Sequence, residues 1–171
     1  IREGPKVHGI WAWKKGDTIG EVTQLCKRYM GLAAMKEKKF LLKYDVAGNG
    51  YHYGTLLKEN GIPIVPVLGQ SKPIDEVQFA TLKDEMYFHL RDLLRDGYVC
   101  DLKDEEMIDQ AVPIKWEVNR KGQSIVETKD QLKARGFSSP DRLEAVVYAF
   151  GRVRKVLRGR NKRMFAGKKI R

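Results

Sequence analysis

Cysteine is scarce: Cys26 and Cys100 stand in separate segments of the 171 residues, without CxxC or Cys/His spacing. That argues against a zinc knuckle or a disulfide framework, and the two read as reduced thiols in a cytosolic setting. No apolar run approaches the roughly 20 residues that a membrane-spanning helix needs, and no secretory signal pattern is visible. The chain also lacks GxxxxGK[ST], a strand–GxGxxG–helix unit and GxSxG. An ATP phosphate loop, a dinucleotide site and a nucleophile-elbow hydrolase are therefore poor readings. His8, His52 and His89 are scattered and suggest no metal cluster, and His89, between Phe88 and Leu90, reads as structural. Internal repeats are missing too.

What is present is a soluble, charge-rich globular composition, 42% apolar and 32% charged, with enough length for one well-packed domain. The net charge of +11 is concentrated at one end. From Arg152 to Arg171 there are ten basic and no acidic residues, which leaves 23 basic against 22 acidic in the remainder. The expected organisation is thus a nearly neutral body, 1–151, and a basic stretch, 152–171. Arg152, Arg154, Lys155, Arg158, Arg160, Lys162 and Arg163 are its candidate DNA contacts, since such a tail releases counterions from phosphate backbones. A solvated terminus is an equally good reading of the tail taken alone.

Hydrophobic periodicity predicts a strand over Val7–Trp13, a helix from Asp17 or Thr18 to Met35, and a short strand from Phe40 to Tyr44 closed by Asp45. A helix over Gly50–Asn60 stops at Gly61. Ile62–Leu68 follows as a strand that Pro63 and Pro66 confine to an edge or an irregular course. A long helix is predicted over Asp75–Asp96 and a short one over Asp104–Gln110. Asn119-Arg120-Lys121-Gly122 joins two strands in a hairpin. The last helix starts near Pro140, with Ser139 as a good N-cap, and carries an apolar face through Val153 to Leu157. Strands alternating with helices imply a mixed α/β sheet flanked by helices on both faces, with a β-hairpin before the C-terminal helix.

Two acids stand out in this frame. Asp45 ends a strand and Asp141 follows Ser138-Ser139-Pro140 at a helix start, a plausible way to hold a hard cation between two elements. The plainer reading makes Asp45 a turn former and Asp141 a partner of the helix dipole. Gly48-Asn49-Gly50 is a weaker signal for an anion-binding turn.

The order of several segments adds a family resemblance. Trp13…Gly16-Asp17-Thr18, Tyr44-Asp45-Val46-Ala47-Gly48-Asn49-Gly50 and Leu56…Gly61-Ile62-Pro63-Ile64-Val65 come first. Phe79-Ala80-Thr81-Leu82-Lys83-Asp84-Glu85-Met86-Tyr87-Phe88, Glu127-Thr128-Lys129-Asp130…Lys133-Ala134-Arg135-Gly136 and Ser139-Pro140-Asp141 follow. In that order they resemble the C-terminal nuclease domain of the large terminase subunit of tailed bacteriophages and prophages, which has an RNase H-like fold.

The resemblance implies a DNA endonuclease with two divalent ions, Mg²⁺ or Mn²⁺. It places Asp45 on the central strand and Asp141 in the Ser-Pro-Asp turn as metal ligands, with Glu144 as an auxiliary acid; Lys129, expected at a strand end, is a candidate phosphate contact, although a lysine there is in most proteins a plain surface residue. It further implies double-stranded DNA as substrate, an adjoining ATPase domain, a small terminase subunit and a portal as partners, no membrane, and the host bacterial cytoplasm as location. A further family aspartate, on the first strand, is expected before Ile1, so that the chain alone would bind metal weakly. Thr81 and Lys83 depart from the family's usual Asn and Arg, and Glu85 and Arg91 read as structural ion-pairing residues. Another RNase H-like nuclease, of resolvase or transposase type, and a non-catalytic nucleic-acid-binding module are the alternatives.

Overall fold

The computed structural model describes residues 1–12, 18–47 and 50–153. A first hairpin pairs β1 (Arg2–Glu3) with β2 (Lys6–Val7), and α1 (Thr18–Met35) follows. β3 (Leu42–Asp45), α2 (Gly50–Glu59) and β4 (Ile64–Val67) form a crossover unit whose strands run parallel, Leu42 opposite Ile64 and Asp45 opposite Val67. Parallel strands need such a crossover, because a tight turn cannot join them. Next come α3 (Leu82–Arg95), α4 (Glu105–Ala111), the antiparallel hairpin of β5 (Trp116–Val118) and β6 (Ser124–Val126), α5 (Lys129–Ala134) and α6 (Asp141–Phe150). The class is mixed α/β, and among the described residues the strands pair in three two-stranded sheets.

The parallel pair is the middle layer. Leu42 and Ile64 pack with Cys26 of α1 and Leu57 of α2. Val67, three residues beyond Ile64 and so on the opposite face of the strand, is fully buried among Leu82, Met86, Leu143, Val146 and Val147 of α3 and α6. Helices therefore cover both faces, as the alternation predicts. Pro66 lies in β4, which among the described residues is an edge strand, where its missing N–H costs little.

Three expected boundaries are corrected and one unexpected helix is added. The predicted strand over Val7–Trp13 reaches only Val7: the Trp11 ring turns back over Gly9 and packs edge-on against Tyr29 at 5.8 Å, which ends the extended run. The long helix begins at Leu82 rather than Asp75. Thr81 and Asp84 form a capping box there, while the Asp75 carboxylate accepts from the Val77 and Gln78 amides and holds the preceding residues in a turn. A helix the periodicity did not show, α5, opens at a second capping box between Thr128 and Gln131. Finally α6 stops at Phe150, short of the predicted apolar face. Gly151 leaves the helical conformation, and Lys43 and Arg2 donate to the Ala149 carbonyl, Lys43 also to that of Gly151. Val153 still packs against the core, whereas Leu157 lies outside the described residues.

Candidate active site

Asp45 occupies the C-terminal end of β3, where the chain turns towards α2. One carboxylate oxygen accepts from the Ala47 amide at 2.9 Å, and the other faces the Tyr148 hydroxyl at 3.3 Å. Gly50 makes this turn possible: a Cβ there would lie 1.9 Å from the Asp45 carbonyl oxygen.

Asp141 opens α6, and Glu144 and Tyr148 follow at three and seven residues, a spacing that puts all three side chains on one helical face. Ser139, the expected N-cap, does not cap the backbone; Pro140 takes the cap position and the Ser139 hydroxyl donates to the Asp141 carboxylate at 2.7 Å. Lys129, expected at a strand end, is the first residue of α5. From there its ammonium reaches Asp141 at 3.3 Å and Glu144 at 2.7 Å. The second Glu144 oxygen accepts from Lys83 of α3 at 2.8 Å. Glu144 is thus a buried carboxylate, its side chain 8% exposed, between two ammonium groups, while Asp141 is 75% exposed at the mouth.

The electrostatics follow from this layout. What burial Asp141 has works against its ionisation, but the Ser139 hydroxyl and the Lys129 ammonium overcome it and hold the carboxyl below its ordinary value. Partial burial would lower the Lys129 pKa, yet Glu144 and Asp141 reverse this and raise it. Burial, and then the carboxylate of Glu144 or Asp45 beside each, pushes the Tyr87 and Tyr148 hydroxyls well above the usual phenol range, so both stay protonated donors.

Two clefts meet at Asp45, Lys129, Glu144 and Tyr148. One, of about 970 Å³, runs along the β5–β6 hairpin, and Asp141 lines the other. The three sequence-predicted acids therefore come to one place. Among the described residues, no three His, Cys, Asp or Glu side chains form a ready metal cage. The donor set is nevertheless that of a hard cation: oxygen only, with Lys129 already placing a positive charge between Asp141 and Glu144. Mg²⁺ commonly needs only one or two carboxylates, with water filling its other positions.

Of the residues expected to contact DNA, Lys129 belongs to this cluster and Arg152 does not. Arg152 is exposed beyond the far end of α6, about 15 Å along the helix from Asp141, and Arg154, Lys155, Arg158, Arg160, Lys162 and Arg163 lie outside the described residues. Sequence reasoning missed Lys83, Tyr87 and Tyr148. The seven-residue spacing from Asp141 could have found Tyr148, whereas Lys83 stands out in the sequence only as a departure from the family's usual Arg, which does not place it at the site.

Solved structures with this architecture exist. The nuclease domain of the large terminase subunit of bacterial virus Sf6, in a lysine-to-alanine variant with manganese and β-thujaplicinol, superimposes with a TM-score of 0.69 at 16% identity. The match covers 89% of this chain and 80% of that one. The same variant with calcium gives 0.68 at 17% identity and the same coverage, and the Sf6 nuclease domain itself gives 0.64 at 18%, again over 89% and 80%. The fold is that of a phage terminase nuclease domain. At these identities the likeness to the terminase domain is one of fold. No family model and no curated protein matches the chain.

Proposed function

We propose that the chain is a divalent-metal-dependent endonuclease domain of a phage DNA-packaging terminase, cutting concatemeric double-stranded DNA in the bacterial cytoplasm. The observation that carries this reading is the meeting of Asp45, Asp141 and Glu144 at one cleft, on a terminase nuclease fold whose Sf6 counterpart was solved with manganese and with calcium. On this reading Asp45, Asp141 and Glu144 hold two Mg²⁺ or Mn²⁺ ions. Bound there, such ions supply Lewis acidity and neutralise phosphate charge in phosphodiester hydrolysis.

The chain's own groups do the rest. Tyr148 orients the Asp45 carboxylate, and Ser139 does the same for Asp141. Lys129, at the cleft mouth, is placed to meet a phosphate oxygen of the backbone, and the basic residues from Arg152 onward track the duplex. An adjoining ATPase domain, a small terminase subunit and a portal are the partners this role calls for.

Incubation of the chain with supercoiled plasmid and Mn²⁺ tests the proposal. Slow nicking is expected of the chain alone, abolished by EDTA and reduced at least ~100-fold by Asp45→Asn or Asp141→Asn, comparable to the loss of an essential electrostatic group elsewhere. Cleavage that survives both substitutions would remove these acids from the reaction.

A further inference from the structure

The two oxygens of Glu144 are held by different lysines in different surroundings. Oε1 accepts from Lys83 at 2.8 Å and Oε2 is paired with Lys129 at 2.7 Å. Lys129 is 38% exposed and shared with Asp141, whereas Lys83 is 16% exposed and has no second carboxylate among the described residues.

The rest of Lys83 is tied down as well. It sits inside the Thr81–Asp84 capping box, and its amide donates to the Gly69 carbonyl at 2.9 Å. Its ammonium lies 5.5 Å from the centre of the Tyr87 ring. Gly69 closes the other side: a Cβ there would lie 3.4 Å from the Lys83 Cβ and 3.3 Å from the Tyr148 hydroxyl. A nearly buried ammonium is costly without its partner, so the Lys83–Glu144 contact is the permanent one and the Lys129 contact the exchangeable one.

We propose that Lys83 is the positioning residue of the site: it holds Glu144 by Oε1 and thereby presents Oε2, beside Asp141, as the oxygen a divalent cation takes. The inference rests on the metal-dependent reading above and deepens it. Lys83 acts through Glu144, and Lys129 stands where the cation enters.

Mn²⁺ binding to the full chain, measured by calorimetry and by electron paramagnetic resonance, tests this together with melting temperature in EDTA. Lys83→Met is expected to weaken Mn²⁺ binding about 10–100-fold, the usual cost of losing an outer partner of a ligand. Lys83→Arg, which keeps the buried charge, is expected to restore most of it. Lys129→Met, which removes the competing ammonium, is expected to leave binding unchanged or tighten it. Lys83→Gln replaces Lys83→Met where the latter does not fold, with a smaller fall in the same direction. An unchanged affinity in a folded Lys83 variant, or equal losses at Lys83 and Lys129, overturns the inference while wild-type binding keeps the metal site. Absence of Mn²⁺ binding in the wild type removes both.

Discussion

At the scale of single residues, backbone clearance at Gly50 fixes where Asp45 points. A Cβ at Gly50 would meet the Asp45 carbonyl oxygen at 1.9 Å and its carbon at 2.8 Å, and neither atom is the loose end of a side chain. Gly50→Ala must therefore push β3 and α2 apart, a strain of about 1–3 kcal/mol, typical of overpacking. The expected outcome is a lower melting temperature together with loss of Mn²⁺ binding, read by calorimetry on one preparation. A variant with wild-type values for both would mean that the turn relaxes freely. The acids themselves were legible, because a strand end and a Ser-Pro-Asp helix start are local signals. Their supports were not: Lys83 meets Glu144 across 61 residues and Tyr148 meets Asp45 across 103, and no local spacing encodes such contacts.

Among whole elements, one carboxylate ties the first hairpin to the segment just beyond α1. Glu3 of β1 accepts from Lys38 and from Lys36 just beyond α1, with His8 on its third side. The two lysines, then His8, bring its pKa down to about 2 despite an opposing desolvation. Since the folded value is depressed, the contribution is present above the ordinary carboxyl value of about 4.3 and lost as pH falls through about 2. Wild type should therefore melt above Glu3→Gln at pH 7, with the gap closing between about pH 4 and pH 2 and shrinking in high salt. A gap independent of pH would show that the charge is not what matters there. Element boundaries teach a related lesson. The apolar stripe of α3 extends back to Phe79 and so suggests an early start, yet the Thr81–Asp84 box decides where the helix begins. The six residues of α5 are too few for periodicity to register, and only the Thr128–Gln131 box announces them. Where periodicity and local caps coincide, as in α2 with Gly61 at φ +77°, the reading and the structure agree.

Over the whole molecule the decisive asymmetry is charge. A body carrying 23 basic and 22 acidic residues through Gly151 offers a duplex little net attraction, while ten cations and no acid follow from Arg152. If the cleft cuts DNA, the two parts have separable roles: the acids set the rate of the chemical step and the basic stretch sets affinity and its dependence on salt. Ending the chain after Val153 removes nine of the ten cations and none of the described cleft residues. Each cation that touches a phosphate contributes about 0.9 to the slope of log affinity against log salt, so engagement of half to all of the nine predicts a slope shallower by about 4–8. Fluorescence anisotropy on a labelled duplex across a salt series reads this directly, and the melting temperature checks that the shortened chain is folded. Binding should weaken most at low salt, and the loss should not depend on duplex sequence, because phosphate contacts carry no base information. If the proposed site holds the metal, Mn²⁺ affinity should stay where it was. An unaltered salt slope would place the DNA contacts on the body instead, with Lys129 and the cleft wall carrying them.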